Sequence, residues 1–241
     1  IHTPSPWARL LDWLAYRHRV LFCVSAGNYC DEIDIGLNQQ RFAALSDGEK
    51  ISATVKAISN SLTSRRLLSP AEAMNAITVG AAHADDSGDA YPQFGQRVDV
   101  LPSQTLFSPA TRLGFGFKRS IKPDILMPGG RQLYNAPVLA RSTLYSVDNS
   151  IVGPGQKVAL DSIKQGVLNN EAFWRGTSNA TALATRGAVR LYDMLNRLRN
   201  EEGGDIPETL MSVLMKALLV HGAKQDEAGK QHIEQALKDA R

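Results

Sequence analysis

The sequence has 241 residues, 43% of them hydrophobic and 21% charged, with a formal charge of +3 from 27 basic and 24 acidic side chains. That is the composition of a globular chain with one sizeable core, or a large piece of one. No basic block interleaves with aromatics and no apolar stretch approaches a membrane span, which argues against both nucleic-acid and membrane partners.

The two cysteines are too few for a disulfide framework. Cys23 sits in the apolar run Leu21-Phe22-Cys23-Val24 as a small core residue, and Cys30 follows a Gly-Asn turn. This usage leans to the cytoplasm. The chain begins at Ile1 rather than Met and reads as a piece of something longer.

Ser5 to His18 reads as a helix, because Trp7, Leu10, Leu11 and Leu14 recur at helical spacing behind a Ser5 cap and Pro6. Arg19 to Ser25 is a continuous apolar run that predicts a strand buried on both faces, ending in the turn Ala26-Gly27-Asn28. Residues 31–75 are polar and mostly helical in pattern, with Glu49 to Leu62 the best stretch.

Ala76 to Ala81 is a second buried strand. Shorter ones are expected at Arg97 to Pro102, Pro123 to Gly129 and Leu144 to Val147, with turn chemistry at Gly153-Pro154-Gly155. After Gly176 a long helix carries Ala184, Ala188, Leu191, Leu195 and Leu198 on one stripe. A loop from Glu201 to Asp205, a helix from Pro207 to about Val220 stopped by Gly222, and a polar helix from about Asp226 to Ala240 complete the chain. Strands alternating with helices argue an α/β architecture with a mainly parallel sheet.

Two places carry chemistry. Gly176-Thr177-Ser178-Asn179-Ala180 opens the long helix, where free N–H groups and the dipole favour negative charge, as an acyl-transfer nucleophile requires. Its plain alternative is a helix cap. Val24-Ser25-Ala26-Gly27-Asn28 puts a carboxamide, an uncharged donor, at the C-terminal edge of a parallel strand. There the alternative is an asparagine tolerating a left-handed turn.

Taken in order, Val24 to Asn28, Ala76 to Ala81, Phe107-Ser108-Pro109, Lys122 to Gly129 and Gly176 to Ala180 resemble the subtilase family of serine peptidases, from about Trp7 to Ala223. The resemblance implies a three-layer α/β fold, incomplete on its N-terminal side. Residues 1–241 would be the C-terminal portion of one peptidase domain, with a helical insertion around 31–75.

It also implies roles. Ser178 would be the nucleophile, Asn28 the oxyanion donor, and Ser25, Ala26 and Gly27 a wall of the substrate pocket. The partners would be a peptide or protein substrate and the missing N-terminal part of the same domain. No cofactor is required for the chemistry. Subtilases often bind structural calcium, but no acidic cluster here matches a loop for it.

The family's aspartate and histidine precede its asparagine, and neither has a counterpart here. His18 lies on a helix outside a His-Gly-Thr context, and His2 is at the terminus. Asp86-Ser87-Gly88 and His221-Gly222 mimic the missing motifs but fall in the wrong places, and read as a turn and a helix end. His83 reads as a loop residue. Ala182 stands where the family has proline, and Asn179 where an apolar residue is usual. The expectation is therefore a serine endopeptidase fragment, inactive alone; the alternative is a non-catalytic peptide-binding pseudopeptidase.

Overall fold

The computed structural model describes residues 3–88, 95–103, 105–162, 166–201 and 206–238. In chain order the elements are α1 (Pro6–His18), β1 (Cys23–Ser25), β2 (Ile33–Asp34), α2 (Gln39–Ala43), α3 (Asp47–Asn60), β3 (Ile77–Ala82) and β4 (Arg97–Val98). They continue with β5 (Gly114–Phe115), β6 (Ile121–Lys122), β7 (Ile125–Pro128), β8 (Tyr134–Asn135), β9 (Leu144–Val147), β10 (Gln156–Ala159) and β11 (Glu171–Trp174). Three helices close the chain: α4 (Thr177–Glu201), α5 (Met211–Gly222) and α6 (Glu227–Lys238).

The organising element is a parallel sheet in the order β1-β3-β7. Alternation along its strands sends Cys23, Ile77, Val79, Ala81 and Ile125 to one face, against Ala180 and Ala184 of α4. Alanines at 180, 184 and 188 keep that stripe of α4 small, so the helix backbone lies close to the sheet. The other face takes α1, where Ala8 packs with Ala73 and Ala76 and is joined by Leu11, Phe22 and Val24. Each fully buried Ile or Val contributes about 1.5–3 kcal/mol.

α1 begins as expected: the Ser5 hydroxyl accepts from the Ala8 N–H at 3.1 Å and Pro6 takes the first position. It stops at Arg19, whose φ of 56° is left-handed. Trp7, Leu10, Trp13 and Tyr16 are exposed along it. The first strand is shorter than predicted, three residues, and half-buried rather than enclosed, because among the described residues β1 pairs with β3 alone.

The largest sheet is antiparallel, in the order β2-β9-β8-β4. Residues 31–75 contribute β2 to it and pack into the core. Ile33, Phe42 and Ala57 are buried with Val100, Tyr134 and Tyr145, and Phe42 meets the Tyr145 ring at 5.3 Å between centroids. α3 also holds Ile51 and Val55 against Leu101, Leu106 and Ala236. Its start carries a capping box between Ser46 and Glu49.

The Glu201 to Asp205 loop falls mostly on 202–205, and the end of the last helix on 239–240, outside the described residues. No helix is long and apolar enough to cross a membrane among those described.

Candidate functional site

Asn28 is brought to Thr177, the residue before Ser178, by a contact that spans 149 positions. β1 delivers the first. Past Ser25 the Ala26 N–H donates to the Val79 carbonyl at 2.9 Å, continuing the parallel pairing, and Gly27 turns the chain at φ 96°. Asn28 then forms an isolated antiparallel bridge with Thr111.

α4 delivers the second. The Gly176 N–H donates to the Gly129 carbonyl at 2.8 Å, tying the helix start to the end of β7. Gly176 has φ 128°, and a Cβ there would lie 2.7 Å from Asn28 Nδ2, so the asparagine side chain occupies the space a larger residue would need.

The carboxamide is fixed by Thr177. Its N–H donates to Asn28 Oδ1 at 2.9 Å and its hydroxyl donates to the same oxygen at 3.0 Å. Because a backbone N–H can only donate, the atom facing it must be the oxygen, and the bonding pattern assigns the amide orientation. Nδ2 is left without a hydrogen bond to any described residue, as a donor available to a ligand.

Ser178 follows directly. It is exposed, its hydroxyl bonds no described residue, and its N–H belongs to the first turn of a 25-residue helix, where the amides have no intrahelical acceptor. Asn179, unusual for the family, acts locally, its Nδ2 donating to the Trp174 carbonyl at 2.9 Å.

A cavity of about 240 Å³ adjoins Asn28. It is lined by Tyr29, Cys30, Trp174, Arg175 and Gly176 among others, and not by Ser25, Ala26 or Gly27. Ala26 is fully buried against Leu67 and Ala71, and a Cβ on Gly27 would sit 2.9 Å from the Leu68 side chain. On this side Ala26 and Gly27 face the protein's own 67–71 segment.

None of the described histidines meets the Ser178 hydroxyl. His83, expected as a loop residue, follows β3 but is fully buried, with both nitrogens engaged. One meets Asp99 at 2.9 Å; the other accepts from the Gln132 N–H at 3.3 Å. His18 is edge-on to Trp13 and His221 closes α5, while His2 lies outside the described residues.

In the false Asp-Ser-Gly motif the buried carboxylate is Asp85, one position earlier. It accepts from the N–H and hydroxyl of Ser87 and from the N–H of Arg131 at 2.7 Å. Burial opposes its ionisation, but the Ser87 and Arg131 donors prevail and hold its carboxyl below the usual range. Asp99 is likewise lowered against its burial, by His83 and the Leu101 N–H. Among the described residues no group of three or more His, Cys, Asp or Glu is placed to hold a metal.

Sequence reasoning missed Thr177 as the holder of Asn28, although it sits beside Ser178 in the motif. It also missed Arg112, whose contacts give no local signal.

The chain is similar to the uncharacterized protein y4bN of Sinorhizobium fredii (strain NBRC 101917 / NGR234), at 34% identity over 137 residues, which are 56% of this chain and 28% of that protein. The chain thus spans less than a third of that relative's length. No solved structure matches it. The family model described as the subtilase family matches residues 2–237, so the chain belongs to the subtilase family of serine peptidases.

Proposed function

We propose that this chain is the nucleophile-bearing part of a serine endopeptidase domain, in which Ser178 attacks a peptide carbonyl and Asn28 stabilises the resulting oxyanion. The observation that carries this reading is the Asn28 carboxamide held by Thr177, with its Nδ2 unbonded, next to an exposed serine at a helix N-terminus.

In the first step the Ser178 hydroxyl adds to the carbonyl carbon while a base takes its proton. The negative oxygen is met by Nδ2 of Asn28 and the Ser178 N–H. Return of the proton to the leaving amine breaks the C–N bond and leaves an acyl-enzyme, which water hydrolyses by the same route.

The base and its carboxylate are supplied by polypeptide outside these residues, the N-terminal part of the same domain. Two observations support that source. Among the described residues no strand pairs with the outer edge of β1, and the exposed Trp7, Leu10 and Trp13 of α1 offer an apolar face to a neighbour. With that part in place the domain has three layers around a mainly parallel sheet, with 31–75 as an insertion. Without it the chain is nearly inert, since loss of the histidine alone costs on the order of 10⁶ in turnover, a value already known for subtilisin.

The test is labelling of the protein, with its full upstream sequence, by a fluorophosphonate. Label is expected on Ser178 and lost in Ser178→Ala; labelling that survives the substitution refutes the proposal. A second reading, a non-catalytic peptide-binding pseudopeptidase, is favoured by the absence of any described histidine at the Ser178 hydroxyl. It requires an upstream sequence without Asp-Ser/Thr-Gly and His-Gly-Thr.

A further inference from the structure

We infer that Arg112 is a positioning residue for the oxyanion donor, acting through the main chain of Asn28 and coupling it to the end of the 31–75 segment. The inference rests on the peptidase reading of Asn28 and Ser178.

Asn28 needs two constraints to present a donor: its side chain must be oriented, and the backbone that carries it must be fixed. Thr177 supplies the first. For the second, a three-residue edge strand that ends in a glycine turn contributes little, and the Asn28–Thr111 bridge holds one side of it.

Arg112 supplies it. Its N–H donates to the Gly27 carbonyl at 3.0 Å and its Nε–H to the Asn28 carbonyl at 2.9 Å. From the same guanidinium, Nη1 donates to the carbonyls of Ser64 at 3.2 Å and Arg66 at 2.9 Å. One side chain therefore joins the turn carrying Asn28 to the stretch that follows α3. The planar fork of arginine permits this; the single ammonium of lysine cannot span acceptors on both sides.

Tyr29 completes the arrangement. Its N–H donates to the Ala110 carbonyl at 2.7 Å, and its ring carries the Arg65 guanidinium at 4.0 Å and that of Arg112 at 5.6 Å. Arg65 is itself fully buried, donating to the Pro109 carbonyl at 2.6 Å and the Ser61 hydroxyl at 2.8 Å. A ring that meets two guanidiniums directly after Asn28 leaves the turn little room to shift.

The experiment combines Arg112→Met and Arg112→Lys with Asn28→Ala, in the protein with its full upstream sequence. It reads the rate of Ser178 acylation by a fluorophosphonate and the side-chain amide resonances of Asn28 in 15N-labelled protein. Arg112→Met is expected to slow acylation about tenfold or more when Asn28 is present and less than twofold when it is alanine, because Arg112 acts only through that donor.

The two Asn28 side-chain amide resonances are expected to shift and broaden in Arg112→Met, as the carboxamide loses its single orientation. Arg112→Lys keeps the packing and stands in if the methionine variant does not fold; it is expected to leave acylation slow. Equal slowing in both backgrounds, full rescue by lysine, or an unchanged Asn28 resonance overturns the inference. If Ser178 never reacts, or Asn28→Ala alone leaves the rate unchanged, the peptidase reading fails and the Asn28 resonance decides the role of Arg112.

Discussion

Replacing Gly176 with alanine adds one carbon at the place where the two halves of the site meet. The new Cβ would stand 2.7 Å from Asn28 Nδ2 and 2.9 Å from Oδ1, well inside normal contact. Two costs add. A φ of 128° is glycine territory, and an alanine held there carries about 1–3 kcal/mol of backbone strain. Overpacking against the carboxamide adds a further 1–3 kcal/mol or so.

The sum, roughly 2–6 kcal/mol, corresponds to a drop in Tm of about 4–24 °C for a chain of this size. The two parts are separable by Asn28→Ala, which removes the obstacle and leaves the strain. Gly176→Ala should therefore be cheaper by about 1–3 kcal/mol in the Asn28→Ala background. Urea denaturation of the four proteins measures the difference. Equal destabilisation in both backgrounds, or a variant within about 0.5 kcal/mol of the parent, would show that Asn28 does not pack on Gly176.

Two further expectations concern the rest of the molecule. Asp85 and Asp99 are held below their ordinary values, so the stability they confer is complete above the unfolded carboxyl range and disappears as pH falls through their lower folded values. Denaturation midpoints should hold from neutrality to about pH 5 and fall steeply below about pH 4. Asp85→Asn, which takes the carboxylate from Arg131, should cost about 3 kcal/mol at neutral pH and flatten that fall; an unaltered acid profile would contradict it. On α1, Trp7 and Leu10 are 65% and 42% exposed, so changing both to serine should cost little stability while reducing self-association, read by light scattering. A large loss of stability would mean the face is covered.

The parts of this structure that were legible in the sequence are those fixed by neighbours in the chain. The Ser5 cap with Pro6 set the start of α1, and the stripe through Ala184, Ala188 and Leu195 marked the buried side of α4. β1 was read as longer and more enclosed because an apolar run does not disclose whether a second strand lies beside it. Residues 31–75 read as a polar, mostly helical insertion because their apolar positions are sparse. Ile33, Phe42 and Ile58 are nevertheless buried, the first two against residues supplied by β8 and β9.

In the site, Asn28 and Ser178 were visible as motifs, whereas Arg112 was not. Its partner at position 28 is 84 residues away, and no periodicity records such a bond. His83 was missed for a related reason. A histidine after a strand looks like surface until Asp99 and the Gln132 amide close around it.

The division of labour within one asparagine has a consequence for how the protein matures. Its oxygen is committed to architecture and its nitrogen is left for a ligand, so the same rotation that docks the long helix also aims the donor. A chain caught before that docking would have neither a completed interior nor a presented amide. On the peptidase reading proposed above, misassembled molecules would thus be silent as well as unstable.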